Sequence, residues 1–75
     1  MERGPLYRIL KDMSGTEKEL DLVVSGQNGH MEIRNVVDVF ELHSSQGLQV
    51  VTRQNLIWID ASHVAGAYQA REDGG

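Results

Sequence analysis

The 75-residue sequence contains no cysteine. Neither a disulfide framework nor a thiolate metal site can therefore stabilise the fold, and a chain of this length has only a marginal hydrophobic core. Small β-rich domains without cross-links often gain stability by oligomerising, so self-association is a reasonable expectation from composition alone.

Positive charge, aromatic residues and long apolar runs are also scarce. Seven Lys and Arg residues stand against eleven Asp and Glu, and the net charge of -4 argues against binding nucleic acid by overall attraction. Aromatic residues make up 5% of the chain, too few for the groove of a peptide-binding module. No apolar run approaches the roughly 20 residues that span a membrane, and no signal-peptide core is visible. We expect one cytoplasmic domain over residues 1–75, without membrane contact.

The N-terminal segment has helical periodicity. Apolar residues recur at i, i+3, i+4 and i+7 from Leu6 to Met13, which predicts an amphipathic helix over residues 5–13. Pro5 suits the first helical position, and Gly15 is a plausible stop. A strand remains the alternative, because residues 6–10 also alternate.

The rest of the chain has the composition of strands and turns. Five strands are predicted, over residues 19–25, 30–42, 48–53, 56–60 and 64–69. Asn28-Gly29 indicates a hairpin, and residues 60–63 are expected to form one tight turn. The charged, glycine-ended tail, residues 70–75, is expected to be disordered.

The long second strand changes phase along its length. Two apolar faces are expected, one with Ile33, Asn35, Val37 and Val39 and the other with Val36, Phe40 and Leu42. Such a strand in a short chain is expected to bend so that each half serves a different part of the core, with Asn35 as the bend. The prediction is a mainly β fold, in which a short helix precedes a strongly bent, five-stranded antiparallel sheet that forms a small barrel.

Two motifs resemble those of the Sm-like (LSm) family. Asn28-Gly29 is followed by Ile33-x-Asn35-x-Val37-x-x-Phe40-Glu41-x-His43-x-Ser45. The part from Ile33 to Ser45 has the spacing of the family's first motif, and one extra residue separates Gly29 from Ile33. Residues 57–60 and 64–67 resemble its second motif, and the Pro-led helix matches the layout of the bacterial Hfq-type RNA chaperones. An SH3-like barrel has a similar outline.

The chain also departs from the family pattern. Asn35 replaces a glycine, Glu41 an aspartate and Ser45 an asparagine. The turn at residues 60–63 has neither the Arg-Gly pair of eukaryotic and archaeal Sm proteins nor the Lys-His pair of the bacterial ones. Its aspartate, Asp60, would repel phosphate.

The resemblance implies a homo-oligomeric ring of about five to seven copies, in which the fourth strand of one copy pairs with the fifth strand of the next. The implied interface consists of Leu56, Ile57, Trp58, Ile59, Val64, Ala65 and Ala67. The apolar run at residues 56–59 agrees with this, because an exposed edge of this kind favours aggregation in a monomer.

The resemblance further implies a site for single-stranded, U-rich RNA. His43 would stack on a base, Glu41 and Ser45 would support that ring or bond a base edge, and Asp60 and His63 would lie at the same pore. As ordinary turn residues, His43, Glu41, Ser45 and His63 need no functional explanation. The alternatives are therefore a non-catalytic assembly module without RNA binding, and a monomeric SH3-like module.

We expect no enzymatic activity, no cofactor and no metal. The three histidines, His30, His43 and His63, have no spacing typical of a zinc site. There is no nucleophile elbow, and residues 26–29 do not form a phosphate loop because no lysine or helix follows them.

Overall fold

The computed structural model describes residues 1–26 and 29–70. Its elements in chain order are α1 (Arg3–Met13), β1 (Glu19–Val24), β2 (His30–Arg34), β3 (Val36–Glu41), β4 (Gly47–Thr52), β5 (Leu56–Asp60), a 3₁₀ turn (Ala61–His63) and β6 (Val64–Tyr68). The predicted class, a mainly β chain with one N-terminal helix, is confirmed. No helix in the described ranges is long and apolar enough to cross a membrane.

The helix α1 buries the apolar face that its spacing predicts. Leu6, Leu10 and Met13 are fully buried among the residues of the strands. The helix begins at Arg3, so Pro5 is its third residue and not its first as expected. A proline is tolerated there because the first N–H groups of a helix have no partner within it. Gly15 follows the helix with a φ of 79°, and its N–H donates to the carbonyl of Val36 at 2.9 Å.

The strands form two three-stranded antiparallel sheets. Sheet A has the order β2-β1-β6, and sheet B has the order β3-β4-β5. The β1–β2 hairpin pairs Val23 with His30, while Gln27 and Asn28 of the predicted Asn-Gly turn lie outside the described residues. Residues 71–75 of the predicted tail also lie outside them.

The prediction of five strands is wrong in one respect, because residues 30–42 form two strands that belong to different sheets. Asn35 separates β2 from β3 with a φ of 57°, in the left-handed region. A residue with a short polar side chain tolerates the left-handed conformation. This conformation interrupts the regular pairing of a strand. The bend lies at the predicted residue, but residues 1–26 and 29–70 form six strands in two sheets and not one continuous five-stranded sheet.

The prediction of which side chains share a face of the long strand is also wrong. The buried residues are Ile33, Val36 and Val39, whereas Val37 and Phe40 are exposed. The left-handed residue and a shift of register between Val36 and Asp38 change which side chains point inward.

One core lies between the two sheets and beneath α1. Its buried members come from every helix and strand except β5, together with the 3₁₀ turn: Leu6, Leu10, Met13, Leu20, Leu22, Ile33, Val36, Val39, Leu48, Val50, Ala61 and Val64. From β5, Ile57 and Ile59 are half-buried and pack against this core, so one face of that strand is covered by its own subunit.

Candidate functional site

Two turns meet at one edge of the molecule. The β3–β4 turn spans residues 42–46, and the 3₁₀ turn joins β5 to β6. The N–H of Ala61 donates to the carbonyl of Gln46 at 2.8 Å, and Gly47 is paired with Asp60. The structure therefore brings together the two turns that contain the predicted RNA-binding residues.

Arg3 holds the β3–β4 turn in place. Its Nη1 donates to the carbonyls of Ser44 at 2.6 Å, Leu42 at 3.1 Å and Gly47 at 3.4 Å. Its Nε lies 3.4 Å from Oε2 of Glu41. A cation in the first turn of a helix opposes the helix dipole, so these contacts give a physical reason for an arginine at this position.

Arg3 is the site residue that the sequence did not reveal. The three carbonyls that accept from it are separated from it by 39 to 44 residues, and no local pattern indicates such contacts. Because three carbonyls and one carboxylate already surround its guanidinium, Arg3 orders the turn and is poorly placed to attract a phosphate.

Asp60 organises the second turn. Its Oδ1 accepts hydrogen bonds from the hydroxyl of Ser62 at 2.6 Å and from the N–H of Ser62 at 2.9 Å. The bond from the hydroxyl, followed by the bond from the N–H, lowers the pKa of Asp60 below its usual value of 3.8. Its carboxylate is therefore ionised at neutral pH, and it adds negative charge to this edge.

The remaining predicted RNA-binding residues are exposed near these two turns. His43 and Ser45 lie in the β3–β4 turn, and His63 ends the 3₁₀ turn. Glu41 is also exposed, but it is paired with Arg3. The edge thus presents two imidazoles for contact with a ligand, beside two carboxylates that disfavour a polyanion.

The predicted interface residues lie on β5 and β6, each of which is a terminal strand of its sheet. Within the described residues, β5 pairs only with β4 and β6 pairs only with β1, so each has one unpaired side. Leu56 and Trp58 are 55% and 62% exposed, and Ala65 is exposed. Val64 is fully buried and Ala67 packs on the core, so they can contribute to an interface mainly through their backbones.

Comparison with models of protein families, with curated proteins and with solved structures found no match to this chain. Its function therefore has to be inferred from its own residues.

Proposed function

We propose that the chain is an Sm-like protein that assembles into a homo-oligomeric ring, in which β5 of one copy pairs with β6 of the next. The order of the strands supports this arrangement. The terminal strands β2 and β3 follow each other directly through the bend at Asn35, and the terminal strands at the opposite ends of the two sheets are β5 and β6. Pairing β5 with β6 between copies would cover both of these edges in a closed ring.

The observation that carries the proposal is the apolar strand β5, which pairs with β4 on one side and has no partner strand among the described residues on the other. An edge strand of a monomer is usually protected by charge, proline or a covering segment, since it otherwise templates pairing with another chain. Leu56 and Trp58 expose more than half of their surface on this edge, and such exposed side chains mark a contact surface when they cluster.

The strand β6 is a suitable partner for β5. Its central residues, Ala65, Gly66 and Ala67, are small, so they allow the backbone of a second chain to approach closely. A Cβ added at Gly66 would meet no atom within 4 Å. A contact between two different edges is heterologous, and it generates a ring when the rotation closes.

Single-stranded, U-rich RNA is the ligand that we propose for the edge with the two turns. The observation that favours it is the hydrogen bond that holds the turns of His43 and His63 side by side. Stacking of a base on such a ring contributes about 1–3 kcal/mol. The carboxylates of Glu41 and Asp60 oppose this, and an assembly module without RNA binding is the second candidate.

Assembly is tested by gel filtration with light scattering. We expect a mass of about five to seven copies for the wild-type chain. Leu56→Glu should give a monomer, because it places a charge on the pairing edge. Val37→Glu is the matched control: Val37 is 54% exposed, close to the 55% of Leu56, but it lies on β3. A monomeric wild-type protein, or equal loss of mass in both variants, would contradict the proposal.

RNA binding is tested on the same protein by adding a short oligo-U strand. Binding that is weakened by His43→Ala but not by His30→Ala would support the proposed ligand, because only His43 lies at the edge with the two turns. An oligomer that ignores oligo-U would favour the assembly module.

A further inference from the structure

Three potential metal ligands converge on the face of sheet A that points away from the core. Each of Asp21, His30 and Glu32 offers one ligand atom, and these atoms all lie within 4.8 Å of one another. The strand register explains their proximity, because Asp21 is opposite Glu32 and Val23 is opposite His30. All three side chains therefore share one face of two neighbouring strands.

Two features of this cluster are unfavourable in the absence of a cation. Oδ1 of Asp21 is shielded from solvent and accepts no hydrogen bond from any described residue. Nε2 of His30 lies 3.6 Å from this oxygen, which is beyond hydrogen-bonding distance. A buried carboxylate oxygen without a partner is costly, and two like charges directly opposite on paired strands repel each other.

We propose that Asp21, His30 and Glu32 bind a Zn²⁺ ion, with water as the fourth ligand. Zinc binds imidazole nitrogens and carboxylate oxygens at about 2.0–2.2 Å, so its ligands in a tetrahedral site are about 3.3 Å apart. His30 and Glu32 are exposed and can turn toward the more buried Asp21. The imidazole favours zinc over Mg²⁺ or Ca²⁺, which prefer oxygen ligands.

The surroundings of the cluster fit this assignment. The ring of Tyr68 lies beside that of His30, with centroids 5.9 Å apart and a tilt of 59°. Arg34 contacts Oε2 of Glu32 at 3.0 Å and Glu19 at 2.7 Å. The second oxygen of Glu32 is available to a metal, and Arg34 keeps Glu19 as a partner. The site lies within one chain and is independent of ring formation.

The test is calorimetric titration of chelator-treated, tag-free protein with ZnCl₂. We expect one zinc ion per chain, and an affinity at least about tenfold lower for His30→Asn and for Asp21→Asn, since loss of a ligand should cost no less than loss of a supporting residue. His43→Asn and His63→Asn are matched controls, because each removes an exposed imidazole elsewhere, and both should bind zinc as the wild type does.

A second readout separates the site from non-specific binding to histidines. In NMR spectra of the imidazole protons, zinc should shift the resonances of His30 before those of His43 and His63. Circular dichroism checks that each variant is folded. Absence of zinc binding by the wild type, unchanged affinity in both His30→Asn and Asp21→Asn, or an equal loss in a control variant would overturn the proposal.

Discussion

The two sheets differ most in the faces that they turn away from the core. On sheet A this face carries Val23 and Tyr68 but is mainly charged, and Arg34 bridges Glu19 and Glu32. On sheet B it carries Phe40 and Trp58, which belong to one cross-strand row and are 49% and 62% exposed.

Folding of one subunit does not require this difference. Both sheets already bury an apolar inner face against the same core. A charged outer face is stabilised by water and by its own ion pairs, whereas an apolar outer face beside an open edge is stabilised by being covered. The outer face of sheet A is therefore suited to contact with water and ions. The outer face of sheet B is suited to the contact between copies that we propose.

The largest expected effect is the difference in lost stability between a truncation on the inner face of sheet B and one on its outer face. Leu48 is fully buried and Leu56 is 55% exposed. Leu48→Ala should lower the free energy of unfolding by about 2–5 kcal/mol because it leaves a cavity. Leu56→Ala should change that of the monomer by only about 0.5 kcal/mol or less. Urea unfolding, followed by circular dichroism at a concentration where light scattering gives the monomer mass, measures both.

Protein concentration is the control for this pair. If the outer face is covered by assembly, Leu56→Ala should lower the apparent stability only at concentrations where the wild type associates. Equal losses for the two variants in the dilute monomer would mean that the outer face of sheet B is not distinct from the core.

A smaller effect on stability is expected from substitutions at Asn35, the bend between β2 of sheet A and β3 of sheet B. Its φ of 57° is accessible to glycine and tolerated by asparagine, but it is unfavourable for a β-branched residue. Asn35→Val should destabilise the fold by about 1–3 kcal/mol, whereas Asn35→Gly should be nearly neutral. Thermal unfolding of the two variants measures the difference, and a stable Asn35→Val protein would show that the bend does not need this conformation.

The smallest expected effect concerns Asp38, which belongs to the same cross-strand row of sheet B as Leu56. The hydrogen bond from Lys11, at 2.7 Å, and then the N–H of Val39 lower the pKa of Asp38 below its usual value of 3.8. A lowered pKa in the folded state contributes stability above pH 3.8, and this contribution is lost as the pH falls through the folded value.

Lys11→Met should therefore flatten the loss of stability between about pH 5 and pH 3. Arg8→Met is the control, because it removes a positive charge from the same helix without removing this bond. Urea midpoints measured across the pH range provide the comparison. If Lys11→Met lost stability at acidic pH as the wild type does, the contact between Lys11 and Asp38 would contribute nothing in solution.

Local patterns in the sequence predicted much of the fold. The helical spacing from Leu6 to Met13 and the alternation around Leu22 each reflect one buried face, so the helix and the mainly β class followed from the chain alone. The bend at Asn35 was predicted from a change of phase. The faces of β3 were not, because a left-handed residue and a register shift depend on pairing with a partner strand.

The candidate sites were less predictable because their residues are distant in sequence. Arg3 reaches a turn some 40 residues away, and nothing near it in the chain indicates this contact. Asp21 and Glu32 become neighbours only through the register of β1 with β2. Sequence spacing indicates histidines at fixed intervals, whereas this cluster combines one imidazole with two carboxylates from two strands.

The conformation of Asn35 has a further consequence if copies join through β5 and β6. The bend sets the angle between the two joining edges, and a closed ring requires a fixed rotation per copy, about 72° for five copies and about 51° for seven. A small change in this angle would leave each contact intact but would alter the number of copies that close the circle. If the circle failed to close, the same contacts would wind into a helical filament. A single backbone torsion would thus govern the symmetry of the assembly and not its strength.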